Sequence, residues 1–176
     1  MRSHLNPGGV AAHWLPLYES DEETVKTQLA TFFDVFPEGT VWSNYLNGDG
    51  YDLVLLGRLE TAPINIDEIQ KRLDDARYSA VSSSLREAEF HSAFDLMGSY
   101  AGRASDLGAA LSGAEINRDL SMRLQYLAGW GLNSVTSALI YRQLLSYRRF
   151  PEDLFTGNGE RMDALREVLG RQHRTF

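Results

Sequence analysis

The sequence of 176 residues contains no cysteine and only four histidines, His4, His13, His91 and His173. Without cysteine the chain has no disulfide, no thiolate ligand for a metal and no thiol nucleophile. No two histidines are spaced as H-x-H or H-x-x-x-H, the pairs that place two imidazoles on one face of a strand or helix around zinc. We therefore expect no metal site and no thiol-dependent catalysis.

Basic residues and long apolar runs are also scarce. Lysine and arginine number 17 against 24 aspartates and glutamates, which gives a formal net charge of −7. This balance disfavours nucleic-acid phosphate as a partner, but it is compatible with a cationic ligand such as a polyamine. No stretch reaches the roughly 18 consecutive apolar residues of a membrane span, and no apolar segment follows Arg2 as in a signal peptide. We expect no nucleic-acid partner and no membrane segment in this sequence, and the lack of cysteine suits a cytoplasmic chain.

The first third of the sequence predicts a strand, a helix and a hairpin. Val10–Leu15 is a short apolar run that ends before Pro16, which is typical of a buried strand. A helix is predicted from Ser20 to Phe36, with Ser20 as the N-cap of a capping box. Thr40–Leu46 and Tyr51–Leu59 then predict two antiparallel strands joined by a turn. A strand, a helix and a closing antiparallel hairpin are typical of the end of a class I methyltransferase-like sheet.

The remainder of the sequence has mainly helical patterns. Asp67 is expected to cap one helix, and the next helical pattern, over residues 82–111, should break near Gly98 and Gly102. Residues 124–127 indicate an extended piece or a turn, and two further helices are predicted at 137–149 and 160–172. We therefore divide the sequence into an α/β part with three strands, residues 1–62, and a helical extension, residues 63–176.

The run from Leu5 to Tyr18, L-N-P-G-G-V-A-A-H-W-L-P-L-Y, resembles the region after the fourth strand in spermidine synthase-like proteins. The resemblance is closest to the bacterial branch in which a multi-helix membrane segment precedes the synthase-like domain. His13 stands where that branch usually has a glutamine. Three later pieces also fit this family: F-F-D-V-F-P followed by V-W, then Y-D-L-V-L-L-G, and finally I-N-R-D at 116–119.

The resemblance implies that the chain is the C-terminal portion of a transferase of polyamine biosynthesis, with a Rossmann-type, class I methyltransferase-like fold. In such a sheet the last strand lies between the fifth and the sixth, so the resemblance places Val10–Leu15 beside Tyr51–Leu59. Intact relatives transfer an aminopropyl group from decarboxylated S-adenosylmethionine to an amine such as putrescine. In that family the glycine-rich nucleotide loop, the ribose-binding acid and the catalytic aspartate all precede the matching region. We therefore assign no catalytic residue and no cofactor to this chain, and we expect it to be inactive alone.

Two expectations about partners and location follow from the same resemblance. The edge of Val10–Leu15 should pair with the N-terminal half of the family's fold or with a second copy of the chain, because an exposed edge recruits another strand. The chain should be cytoplasmic, or attached to a membrane through the N-terminal part of a relative of the membrane-fused branch.

His13, Trp14 and Tyr18 are the candidate substrate-binding residues. His13 is predicted at the C-terminal end of a strand, where ligands bind in open α/β sheets, and the resemblance implies that its position borders the substrate pocket. Trp14 and Tyr18 offer flat rings that attract a cationic amine. The alternatives are that His13 only makes a local hydrogen bond and that the two aromatic residues belong to the core.

Two groups of acidic residues could bind a cation, but each also has a structural explanation. The acids at 21–23 could attract a polyamine, but they are also what the first turn of a helix requires. Asp49 and Asp52 lie near glycines as in a calcium loop, but their spacing falls short of an EF-hand and favours a hairpin turn.

A second interpretation of the chain gives it no enzymatic role. In it, the helical residues from Asp67 onward form a scaffold that binds a partner protein, and the short sheet anchors them.

Overall fold

The computed structural model describes residues 2–46, 49–127 and 136–171, which form a mixed α/β structure. The strands and helices in chain order are β1 (Val10–Pro16), α1 (Glu22–Val35), β2 (Thr40–Leu46), β3 (Asp49–Arg58), β4 (Ile64–Asn65), α2 (Ile66–Asp74), α3 (Ser79–Glu87), α4 (Ala93–Gly98), β5 (Tyr100–Arg103), α5 (Ala104–Leu107), α6 (Arg123–Leu127), α7 (Ser137–Tyr147), β6 (Phe155–Thr156) and α8 (Gly159–Arg171). Short 3₁₀ turns lie at Arg2–His4 and Ala76–Tyr78. None of the helices in these ranges is both long enough and apolar enough to cross a membrane.

The chain divides into two compact units. The first consists of Met1–Thr61 and Ala101–Arg148, and the second of Ala62–Tyr100 and Arg149–Phe176. The first division falls at residue 61, beside the boundary that the sequence suggests. Residues 101–148, which the sequence analysis grouped with the helical extension, belong to the first unit.

A four-stranded antiparallel sheet organises the first unit, with strand order β1-β3-β2-β5. The predicted hairpin is confirmed, because β2 pairs antiparallel with β3 from Thr40 opposite Leu56 to Leu46 opposite Asp49. The predicted place of Val10–Leu15 beside the second hairpin strand is also confirmed, with Trp14 opposite Val54. The turn at 47–48 lies outside the described residues. The fourth strand, β5, was not predicted.

The core of the first unit lies on one face of this sheet. Along β1, Ala11 and Leu15 are buried and His13 is half-buried, whereas Val10, Ala12 and Trp14 are exposed. This alternation is that of a strand with one covered face. The buried side chains come from β1, β2, β3, α1, α5 and α7 and include Leu29, Phe33, Val41, Leu53, Leu55, Leu107, Ile140, Leu144 and Leu145.

The start of α1 corrects the predicted capping box. Asp21 is the N-cap, and its Oδ1 accepts a hydrogen bond of 2.7 Å from the backbone N–H of Thr24. Ser20 instead donates its hydroxyl to the carbonyl oxygen of Pro16 at 3.0 Å. Both residue types cap helices well. Ser20 follows the turn at residues 18–19 that leaves β1, and the N-cap lies one residue later than predicted.

The second unit contains α2, α3, α4 and α8, with β4 and β6 paired in parallel. The N-cap of α2 is Asn65, whose Oδ1 accepts from the backbone N–H of Glu68 at 3.0 Å. The prediction that Asp67 caps this helix is therefore wrong. Asp67 instead accepts a hydrogen bond of 2.6 Å from the backbone N–H of Asn158 and pairs with Arg161 at 2.5 Å.

The helical pattern predicted over residues 82–111 breaks as expected near Gly98 and Gly102. Between α4 and α5 it contains β5, where Gly102 has φ of +143°, a value that glycine adopts without strain. The segment 124–127 was predicted to be extended or a turn, but it lies in helix α6. The two last predicted helices are confirmed as α7 and α8.

Candidate functional site

Strand β1 places two of the three predicted site residues on opposite faces of the sheet. Successive side chains of a strand point to opposite faces. His13 accordingly contacts the ring of Phe32 in α1, with ring centroids 6.3 Å apart. Trp14 lies on the other face, where 52% of its surface is exposed. The structure therefore does not bring His13 together with Trp14 and Tyr18.

Trp14 and Tyr18 do meet, and Tyr51 joins them. The ring centroids of Trp14 and Tyr18 are 6.2 Å apart, and those of Tyr18 and Tyr51 are 4.7 Å apart in a stacked arrangement. Tyr51 is 43% exposed and Tyr18 is half-buried, so ring surface remains open to solvent. The backbone holds the group in place, because the N–H of Leu17 donates to the carbonyl oxygen of Tyr51 at 3.1 Å.

The carboxylate of Asp52 lies against these rings. Asp52 is only 7% exposed, and its Oδ2 accepts a hydrogen bond of 2.7 Å from the indole Nε1–H of Trp14. Its Oδ1 is buried and has no hydrogen-bond partner among the residues that the structure describes. A buried carboxylate oxygen without a partner is costly, because ionised oxygens lose strong hydrogen bonds to water. Because Oδ1 is closed off from solvent, the groups that face a ligand are the exposed ring faces, with the Asp52 carboxylate hydrogen-bonded to the indole N–H.

The protonation of Tyr18 reflects the same surroundings. Partial burial raises the pKa of the Tyr18 hydroxyl above its ordinary value, and the nearby Tyr51, Asp52 and Glu19 raise this pKa further. Tyr18 presents its ring next to those of Trp14 and Tyr51. We call Trp14, Tyr18, Tyr51 and Asp52 the aromatic–carboxylate site.

The aromatic–carboxylate site contains the kinds of group with which proteins bind organic cations. The faces of tryptophan and tyrosine rings carry a partial negative charge that attracts ammonium groups. A carboxylate nearby supplies the full countercharge and a hydrogen-bond acceptor. No metal ligand set competes with this interpretation, since the described ranges contain no cluster of three histidine, aspartate or glutamate side chains able to hold an ion.

Tyr51 and Asp52 were missed as site residues in the sequence. Asp52 was attributed to the hairpin turn, but it lies inside β3, opposite Pro16 of β1. Trp14 is two residues before Pro16, so Trp14 and Asp52 share a face of the sheet. Once the register of β1 against β3 is known, the predicted pairing of these two strands places Trp14 and Asp52 on the same face.

The acidic residues at 21–23 make contacts within the first unit. Asp21 caps α1, and Glu22 pairs with Lys26 at 2.6 Å and accepts from Gln143 at 3.1 Å. The hydrogen bond from Lys26 lowers the pKa of Glu22, and the one from Gln143 acts in the same direction. Glu23 pairs with Arg123. Partners within the protein thus engage all three carboxylates.

No protein-family model, curated protein or solved structure matches this chain.

Proposed function

We propose that the first unit binds the amine substrate of a spermidine synthase-like protein and that the aromatic–carboxylate site is where the amine binds. The support is the group of three partly exposed aromatic rings, of which Trp14 donates its indole N–H to the Asp52 carboxylate. An alkylammonium group lies against the exposed ring faces, and the negative charge of the carboxylate attracts it. A neutral ligand of the same size supplies no countercharge.

The order of the strands supports the finer, Rossmann-type interpretation of the fold. In a class I methyltransferase-like sheet the last strand inserts antiparallel between the fifth and the sixth. Here β3 is antiparallel to both of its neighbours and lies between β1 and β2, with α1 connecting these two. Under this proposal β1, β2 and β3 correspond to the fifth, sixth and seventh strands of such a sheet. The proposal also places the protein in the cytoplasm.

The catalytic groups of such a transferase lie outside this sequence. The displacement at decarboxylated S-adenosylmethionine requires a nucleotide-binding loop and an acid that holds the attacking amine. The sequence contains no glycine-rich loop between a strand and a helix. The contribution of this chain is therefore to hold and orient the amine, and decarboxylated S-adenosylmethionine is a co-substrate of the intact transferase.

The test is titration calorimetry of the purified chain with putrescine and with 1,4-butanediol, which has the same carbon chain without charge. We expect putrescine to bind and the diol to bind several-fold more weakly, since a cation over aromatic rings contributes about 0.5–2 kcal/mol. Asp52→Asn should weaken putrescine binding by a similar factor. Glu38→Gln, which removes the same charge from an exposed position, should have no effect.

Two results would overturn the proposal. One is equal affinity for the diamine and the diol, which would mean that charge plays no part in binding. The other is putrescine binding that Asp52→Asn and Glu38→Gln weaken equally, which would indicate only the general negative charge of the chain.

A further inference from the structure

A cleft of about 220 Å³ opens on the face of β1 opposite the aromatic–carboxylate site. Strand β1 and helices α1 and α6 form its walls, which include His13, Gln28, Thr31, Phe32, Val35 and Leu124. The wall is mainly apolar, as in most small-molecule sites, and the volume lies just below the usual range of about 300–1,000 Å³. A cleft of this size suits a ligand of one or two rings.

Hydrogen bonds fix the wall on the α6 side of the cleft. The backbone N–H of Asn117 donates to Thr31 Oγ1 at 2.8 Å, and the backbone N–H of Leu124 donates to Asn117 Oδ1 at 2.9 Å. At the start of α6, Arg123 pairs with Glu23 and Glu115. The wall is therefore formed before a ligand arrives, and binding loses little free energy to ordering of the protein.

Two polar side chains in the cleft, those of His13 and Gln28, are available for hydrogen bonds to a ligand. Within the described ranges His13 makes one ring contact, with Phe32, and neither its imidazole nor the amide of Gln28 has a hydrogen-bond partner. Thr31, by contrast, already donates to the carbonyl oxygen of Thr27 at 2.7 Å and accepts from Asn117. The imidazole and the amide can each donate and accept. A ligand with a polar edge can use these groups.

The charge and shape of the cleft narrow the class of ligand. Among the residues that the structure describes, no aspartate, glutamate, lysine or arginine lines it, so a charged ligand would lose its hydration without gaining an ionic partner from them. His13 and Phe32, whose rings stack on each other at an angle of only 21°, give the cleft wall flat aromatic surfaces. Flat ligands pack best against such faces.

We propose that this cleft binds a neutral, planar aromatic molecule of about ten non-hydrogen atoms that carries one hydrogen-bonding edge. The ring system packs against His13 and Phe32, and the polar edge meets His13 or Gln28. This site is independent of the amine site, because the two lie on opposite faces of β1. Binding here requires no transferase activity.

The experiment uses indole and its carbocyclic analogue indene as probes of the ¹⁵N-labelled chain, followed by amide chemical shifts. We expect indole to shift amides of the cleft walls with a dissociation constant on the order of 1 mM or below, given the few atoms of the ligand. Indene, which has the same shape without the N–H group, should bind about fivefold more weakly, in line with the loss of one hydrogen bond.

Three variants test the assignment of the cleft. Val35→Phe fills the cleft from a position that is already 36% exposed, so the chain should fold and indole binding should be lost. Gln28→Met keeps the length of the side chain but removes its amide. This variant should lose affinity for indole at least as much as it loses affinity for indene. Gln125→Met, at an exposed position outside the cleft, is the matched control and should leave binding unchanged.

The proposal is overturned if indole at several millimolar shifts no cleft amide. It is equally overturned if Val35→Phe folds and binds indole as the unmodified chain does. Equal affinity for indole and indene would refute the polar edge, and putrescine titration of the same sample distinguishes failure here from failure of the amine site.

Discussion

The surroundings of Tyr18 raise the pKa of its phenol. Partial burial is the largest cause of its raised pKa, and the negative charge of Asp52 adds to it. A group whose pKa is higher in the folded chain than in the unfolded chain stabilises the fold below the unfolded pKa. That contribution is lost as the pH rises through the folded pKa.

This sign gives a prediction for alkaline unfolding. The ordinary tyrosine pKa is 10.0, so the stability of the chain should start to fall as the pH rises past that value. Tyr18→Phe removes the ionisable group, so the stability of this variant should fall less steeply over the same pH interval. The measurement is the urea midpoint of both chains between neutral pH and the alkaline range. Identical slopes would mean that the folded pKa of Tyr18 is not raised.

The residues that the sequence did not assign correctly illustrate one physical limit. Ser20 and Asp21 are adjacent and both cap helices, as Asn65 and Asp67 both can near α2. Which of the two residues becomes the N-cap depends on where the backbone leaves the preceding segment. At α1 this goes with a second hydrogen bond, from the hydroxyl of Ser20 to Pro16, that the residue types alone do not indicate. The separation of His13 from Trp14, by contrast, follows from strand alternation alone.

Close packing against β3 depends on two glycines. A Cβ atom at Gly50 would overlap the side chain of Tyr141 in α7, and one at Gly57 would overlap the ring of Phe36. Neither glycine has the positive φ that only glycine tolerates easily. Their role is therefore to let an aromatic ring approach the strand, which places α7 and the end of α1 on the sheet.

We accordingly predict that Gly50→Ala destabilises the chain by about 1–3 kcal/mol, the usual cost of overpacking. Gly98→Ala is the control, since nothing lies within 4 Å of a Cβ at this position of α4. It should be neutral or stabilise by about 0.4–1 kcal/mol through the unfolded chain. Chemical denaturation of both variants measures the difference, and equal stabilities would contradict the close approach of Tyr141.

The elements predicted best are those that local chemistry specifies. The hairpin has a turn cluster between two β-rich runs, and α1, α7 and α8 have clear apolar faces. Strand β5 has four residues, Tyr-Ala-Gly-Arg, within an alanine-rich stretch. Its pairing comes from the neighbouring strand β2 and not from its own pattern, as is common for short strands.

The sequence pattern does not indicate which segments of the chain belong to each of the two units. Residues 101–148 return to the unit that contains residues 1–61. The contacts responsible join segments far apart in sequence, such as Asn117 with Thr31 and Thr136 with Ser20. A division of the sequence by composition places the boundary near residue 62 but cannot identify a segment that crosses back.

The isolated chain should not catalyse aminopropyl transfer, because the described site offers binding groups without the nucleotide loop and catalytic acid of the transferase. The assay is the formation of spermidine from putrescine and decarboxylated S-adenosylmethionine by the purified chain. A spermidine synthase assayed in parallel controls for the substrates. Turnover that survives Asp52→Asn would count against the proposed division of labour, as would turnover by the unmodified chain.

The free edge of β1 leads to a prediction about assembly. In the four-stranded sheet β1 is an outer strand, so one row of its backbone groups has no strand to pair with there. Val10 and Trp14 beside this edge are 47% and 52% exposed. Natural edge strands are usually protected by charges, by proline or by a covering segment. Here Pro16 lies at the last position of β1, and no charged residue lies between Val10 and Leu15.

We predict that β1 pairs with a second copy of the chain or with the N-terminal half of the proposed transferase. Two copies of β1 can pair antiparallel about a two-fold axis, which satisfies the backbone groups and brings their apolar side chains together. Sedimentation of the purified chain over a concentration series should show association. Ala12→Lys, which puts a charge on the exposed side of the edge, should shift the chain toward monomer, whereas Glu38→Lys should not. A folded monomer at every concentration would refute pairing between copies and leave the N-terminal half as the partner to test by co-expression. Failure of that pairing as well would contradict the edge argument, because a stable chain would then tolerate this strand without a partner.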